Sequence, residues 1–389
     1  MFLRSQVIAS LSFALVSTSA LAQDITAGFT TPAPYAFMKD VGTNTILYSK
    51  DADREIPPAS MAKMMTVLVA FDMIKRGDTS LDKPITVRPE TWAKWHSQGS
   101  TMFLAAGEIA TVDDLLNGIV TASGNDACVV LAEGLLGSES AFIDLMNKTA
   151  KDIGLKGSKF ANTNGWPDPE QHVTARDLAR IAEITITRHP DLYKRFYGRA
   201  DFTWGKTMEG RPITQPNRNP LLGRVTGADG LKTGHTEEAG YGFTGSATQN
   251  GRRVVMVLGG LASQGERTAA SVDMLSWGFA GWVKRPVLAA GTSAGIADVQ
   301  GGEVPGVSLV APRDLTVLVP RGSSTELDTR MVVEKPITAP VAKGQRLGSL
   351  LVSVPGRDDV RLPLIAATDV AEAGPLLRFW NWLKGLAGL

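Results

Sequence analysis

The chain has 389 residues, a formal net charge of +1 and 43% hydrophobic residues. That length predicts two or three domains at about 100–200 residues each. The charge balance, with 20% charged residues, excludes a disordered polyelectrolyte and gives no reason to expect a nucleic-acid partner. With 1 Cys, an internal disulfide or a cysteine metal cluster is excluded, and the 4 His show no ligand spacing. No metal or other cofactor is expected.

Residues 1–22 read as a secretory signal. Arg4 supplies the positive start, residues 7–16 a short apolar run, and Ala20-Leu21-Ala22 a small-residue cleavage site. The run falls short of the about 20 apolar residues that a membrane span requires. A mature chain starting near Gln23, outside the cytoplasm, is the expectation.

Residues 35–51 predict a strand hairpin, YAFMKD and TILYSKD about a turn at Gly42-Thr43-Asn44. Pro57-Pro58 then precedes a helix over 59–76. Met64, Leu68 and Phe71 form its apolar face, Lys75 and Arg76 its last turn, and Gly77 its C′ position. Helices are expected over 111–117, 126–136 and 140–154, the first two split by Ser123-Gly124-Asn125. Another covers 174–187, with Thr174 as N-cap and Asp177 three residues on, close to a capping box. Residues 242–248 and 252–259 flank Asn250-Gly251, a strong hairpin signal. Helical spacing returns over 267–282. Strands at both ends of a helical middle predict an α+β fold, with the two hairpins in one antiparallel sheet and helices on its faces.

From about residue 285 the texture becomes LTVLVPRG, TRMVVEKPI, GSLLVSVPG and VRLPLIA, which predicts a small all-β domain over 285–370. Residues 371–389 read as an amphipathic helix. Leu376, Phe379, Trp380, Leu383 and Ala387 share one face, and Arg378, Asn381 and Lys384 the other. Trp380, Trp382, Arg378 and Lys384 suit a membrane surface. The expectation is a peripheral anchor on the inner membrane; the plainer reading is a terminal helix docked on its own domain.

Three short motifs stand out. Ser60-Met61-Ala62-Lys63 puts a hydroxyl and an amine on one face of a helix start. A serine is a poor nucleophile until a base takes its proton, and a lysine serves only if burial or a neighbouring cation lowers its pKa. A chain this long contains about one S-x-x-K by chance, so alone it reads equally as an ordinary helix start. Ser123-Gly124-Asn125 offers a hydroxyl and an amide to one cleft, or merely a helix stop and restart. Lys232-Thr233-Gly234, followed by His235-Thr236, leads into the second hairpin. Lys232 and Thr233 suit a carboxylate, Gly234 leaves room for a substrate backbone, and Lys232 is placed to lower the pKa of Lys63 by repulsion.

The three motifs in this order resemble those of the low-molecular-mass penicillin-binding proteins, the serine-type D-alanyl-D-alanine carboxypeptidases. The stretches PASMAKMMT, ASGNDACVVLAE and DGLKTGHTEEAGY extend the likeness, as does the whole layout. The resemblance implies a β-lactamase/transpeptidase-like catalytic domain over 23–284. It implies Ser60 as nucleophile, Lys63 as general base, Ser123 as proton relay and Asn125 as holder of the substrate amide. Lys232 and Thr233 would engage the terminal carboxylate, and the N–H groups of Ser60 and His235 would form the oxyanion hole. Arg218 and Arg267 match basic positions near the cleft, though a surface ion pair is the commoner fate of an arginine. The implied substrate is the peptidoglycan stem peptide ending in D-Ala-D-Ala, with β-lactams as covalent inhibitors, in the periplasm. A β-lactamase, a D,D-endopeptidase and a non-catalytic wall-binding protein are the competing readings. No E-x-x-L-N motif is found for the first, and the intact motif set argues against the last.

Overall fold

A computed structural model describes residues 28–323, 327–333, 335–354 and 359–375. The signal segment lies outside the described residues, as does the expected amphipathic helix beyond residue 375; residues 371–374, the expected start of that helix, are not helical, because Glu372 bridges Gly302 at the edge of the β-rich region.

The organising element is a five-stranded antiparallel sheet. Its order is Thr45–Lys50, Tyr35–Asp40, Arg252–Leu261, Gly240–Gln249 and Ala228–Thr236. Both expected hairpins are present and join through Phe37 opposite Val257. The second turns at Asn250 and Gly251, with φ of 49° and 71°, the pair of positive angles that suits a tight two-residue hairpin. Strand residues alternate between two cores. Tyr35, Phe37, Val255 and Val257 face the helical body, while Ala36, Met38, Val254, Met256 and Leu258 face the helix Gln264–Ala280.

The helical body comprises Lys63–Arg76, Val112–Asn117, Asn125–Leu136, Glu139–Asp152, Ala175–Arg188 and Pro190–Tyr197, among shorter pieces. Thr174 caps its helix by accepting from Asp177 N at 3.1 Å. The reciprocal half of a capping box is absent, because the Asp177 carboxylate instead holds Gly157 N at 2.9 Å and Ser158 Oγ at 2.8 Å.

Two helix limits differ from expectation. The helix over 59–76 is divided into a 3-10 turn, Ala59–Ala62, and an α-helix, Lys63–Arg76. Pro58 offers no side-chain cap, and its carbonyl accepts from Met61 N three residues on. The helix expected over 267–282 runs Gln264–Ala280, because Ser263 caps it by accepting from Glu266 N.

The β-rich region begins with Trp282–Leu288, paired with Leu315–Pro320. This ribbon joins the two regions by alternation: Trp282 and Leu318 pack under the five-stranded sheet, Val317 and Val319 into the second core. A six-stranded sheet follows, in the order Asp328–Val333, Arg346–Ser353, Val360–Ala366, Gly306–Val310, Ser293–Gln300 and Ile337–Thr338. No helix among the described residues is long and apolar enough to cross a membrane.

Candidate active site

The turn bearing Ser60 is fitted under the sheet edge by missing side chains. Gly234 and Gly242 face each other on the last two strands. A Cβ on Gly234 would lie 3.0 Å from Pro58 O, and one on Gly242 2.6 Å from Met61 Cε. Close approach of the serine turn is therefore sufficient reason for glycine at 234, apart from any substrate backbone. On the other side Gly165 has φ +83°, and a Cβ there would fall 1.9 Å from Ala59 O. Ala59 itself has φ 47°, uncommon for a residue with a side chain. Ser60 is thus gripped between Gly165 and the strand Ala228–Thr236.

Lys63 is fully buried. Its Nζ lies 2.8 Å from Ser60 Oγ, 2.8 Å from Asn125 Oδ1 and 2.5 Å from Asn164 O. Burial above all lowers its pKa, to about 8. A neutral amine has two N–H donors and one lone pair. Two carbonyl oxygens claim the donors, which leaves the lone pair for the Ser60 hydroxyl. Asn164, whose main chain supplies one of those acceptors, has no signature in the sequence.

Ser123 ends a π-helical turn, Gly118–Ala122, with φ 62°. Asn125 begins the next helix; its Nδ2 donates to Gln98 O at 2.8 Å while its Oδ1 accepts from Lys63. The neighbouring Asp126 is also buried, and burial raises its pKa. It accepts from Met102 N at 2.8 Å and Ala127 N at 2.9 Å, so it ties the wall containing Gln98 and Ser100 to this helix. Motif reading missed both Gln98 and Asp126, whose partners are distant in sequence.

Lys232, on the edge strand, is buried and donates to Thr233 O at 3.1 Å. Its pKa stands well below the ordinary lysine value, through burial first and then the charges of Lys63 and Arg218. The repulsion between the two buried amines thus disfavours the charged form of Lys232. His235 is exposed and stacks on Tyr241 at 3.8 Å between ring centroids. Arg267 lies over the same tyrosine, 5.7 Å from the ring centroid. It is buried, and its Nε finds no hydrogen-bond partner among the described residues. Arg218 reaches in from the opposite wall and donates to Ser100 Oγ at 2.6 Å. Neither arginine is in a surface ion pair among the described residues; burial lowers the pKa of both, yet a guanidinium stays charged.

A cleft of about 1040 Å³ unites these groups. Ser60, Ser123, Asn125, Thr233, Gly234, His235, Arg218 and Arg267 line it, while Lys63 and Lys232 stand behind its surface. The arrangement can activate a hydroxyl, stabilise an anion beside it and exclude water from the base.

Comparison with known proteins agrees with this chemistry. Residues 22–261 match the family described as D-alanyl-D-alanine carboxypeptidase, and residues 282–372 the penicillin-binding protein 5 C-terminal domain. D-alanyl-D-alanine carboxypeptidase DacA of Haemophilus influenzae is 35% identical, over 99% of this chain and 100% of that protein. The crystal structure of penicillin-binding protein 5 from the same organism has a TM-score of 0.77 at 35% identity, covering 89% of this chain and 100% of that one. Penicillin-binding protein D2 of Listeria monocytogenes, solved in an ampicillin-bound form, has a TM-score of 0.55 at 27% identity, covering 65% of this chain and 99% of that one. The chain belongs to the D-alanyl-D-alanine carboxypeptidase family of serine peptidases, with the C-terminal domain of penicillin-binding protein 5 following its catalytic region.

Proposed function

We propose that Ser60 carries the acyl group in this carboxypeptidase and that Lys63 is its base. The observation that carries the reading is the 2.8 Å separation of Lys63 Nζ from Ser60 Oγ, on an amine whose other neighbours are both carbonyl oxygens. Ser60 Oγ attacks the carbonyl carbon of the penultimate D-alanine as Lys63 takes the hydroxyl proton. The N–H groups of Ser60 and His235 receive the oxyanion. The C–N bond then breaks, and the departing amine gains a proton through Ser123. Asn125 holds the amide of the preceding residue. Thr233, Lys232, Arg267 and Arg218 take the terminal carboxylate, and Gly234 borders the substrate backbone. Water repeats the sequence on the ester and frees Ser60. A β-lactam offers the same C–N bond, but its amine stays tethered after opening, so the ester persists.

The substrate on this reading is the stem pentapeptide of peptidoglycan. The catalytic domain spans 23–284 and the β domain 285–370. Residues 1–22 direct export to the periplasm, and the amphipathic terminal segment rests on the outer face of the cytoplasmic membrane. The bacterial origin of the relatives and the basic, tryptophan-bearing terminus support this placement. A chain ending at Glu372 should fail to sediment with membranes; sedimentation unchanged would exclude the anchor.

The test of the chemistry is incubation of the purified chain with labelled penicillin and with a D-Ala-D-Ala pentapeptide. A long-lived adduct on Ser60 and released D-alanine are expected, and Ser60→Ala should abolish both. Fast penicillin turnover would indicate a β-lactamase, and neither signal a non-catalytic protein.

A further inference from the structure

Residues 164–167 form a stretch of cleft wall in which Asn164 O and Gly165 serve Lys63 and the serine turn, while the Trp166 side chain has no part in the acyl-transfer steps. Its centre is Trp166, which lines the cleft at 39% exposure. The indole packs edge-on against the buried Trp95, with ring centroids 5.6 Å apart at 82°. Its main chain is clamped on both sides. Trp166 N donates to Asn164 Oδ1 at 2.9 Å and to Asn162 Oδ1 at 3.1 Å, and its carbonyl accepts from Asn162 Nδ2 at 2.9 Å. Gln171 Nε2 donates to Asn162 Oδ1 at 3.1 Å and braces the clamp. A large apolar ring held by these bonds at an open cleft is a built surface, not a stray exposed residue.

The ring stands beside the amide holder. A Cβ on Gly99 would lie 2.9 Å from Asn125 Nδ2 and 3.2 Å from Trp166 Cζ3. No aspartate or glutamate is among the described residues lining the cleft. This wall therefore offers a substrate side chain apolar area and no charge partner.

We propose that Trp166 is a specificity-determining residue, whose indole seats the aliphatic stem of the side chain immediately preceding the D-Ala-D-Ala pair. The inference rests on the role assigned above to Asn125. A peptide whose amide is held there projects that side chain toward the neighbouring ring. An unbranched chain of several methylenes gains by covering the indole, whereas an alanine methyl does not reach it.

Two acetylated tripeptides test this on the full chain: acetyl-(Nε-acetyl-lysyl)-D-Ala-D-Ala and acetyl-alanyl-D-Ala-D-Ala. The lysyl peptide should be favoured in kcat/KM by about tenfold, the worth of two buried methylenes. Trp166→Ala should bring that ratio toward one, chiefly through KM of the lysyl peptide, and Trp166→Phe should keep most of it. Penicillin labelling of Ser60 reports whether each variant retains the fold; if Trp166→Ala does not, the phenylalanine and Trp166→Leu variants decide. An equal loss on both peptides, or a ratio unmoved by every variant, overturns the proposal. A wild-type chain that cleaves both peptides equally overturns it alone, whereas one that releases D-alanine from neither overturns the acyl-transfer reading as well.

Discussion

The two halves of the molecule bury different things. The catalytic region encloses Lys63, Lys232, Arg267, Asp126 and Asn125. The β-rich region beyond Trp282 buries, among its described residues, a single polar side chain, Ser349, within a core of Val, Leu, Ile and Ala. Removing charges from water is costly unless their partners are in place, whereas aliphatic burial is favourable wherever it occurs. One region thus spends stability to hold reactive groups, and the other recovers it by ordinary packing. Mutations should separate the two: loss of rate with the fold intact in the first, loss of stability with the rate intact in the second.

The largest effect is expected at Lys63. Lys63→Met keeps the apolar stem but removes the lone pair beside Ser60. Acylation by penicillin, followed by stopped labelling, should slow by about a thousandfold or more, with near-native circular dichroism. A rate within tenfold of wild type would remove Lys63 from the base role. Leu364→Ala supplies the opposite case. Leu364 is fully buried in the second core, so its truncation should cost about 3 kcal/mol in denaturant unfolding. The kcat/KM on a D-Ala-D-Ala peptide should not change.

Gly165→Ala tests the boundary between these behaviours. The new methyl meets the Ala59 carbonyl at a positive φ, so the turn carrying Ser60 must move. A stability loss of about 2 kcal/mol should come with a clear loss of acylation. Stability lost without rate would mean that the grip on the serine turn is not what aligns it.

How far the sequence reveals all this depends on the reach of each signal. Asn250-Gly251 and the caps at Thr174 and Gly77 act over a few residues, so the hairpins and helices could be read directly. The three motifs could be read because each concentrates its chemistry in three or four positions. Asn164 O, Gln98 O and Asp126 could not, because each matters only through a partner brought in by folding. Gly234 carries a double meaning that one dimension hides: its lack of a side chain is needed by the serine turn beneath it. The Trp166 loop showed its composition, but its purpose depends on Trp95 and Gly99 lying next to it.

The smallest effect is in pH, and its sign distinguishes the two regions once more. Lysine ordinarily titrates near 10.5, and burial lowers Lys63 to about 8. Below that value the amine holds a proton and cannot accept one from Ser60. Acylation should therefore fall about tenfold for each pH unit below about 8 and level off above it. Lys232 is also depressed by burial, and an arriving carboxylate favours its charged form. Measured on acylation by penicillin, a flat profile from about pH 6 to 9 would show that the base is another group. The Leu364→Ala variant should shift the unfolding midpoint and leave this inflection in place. Lys63→Met should abolish the inflection, because the titrating group itself is gone.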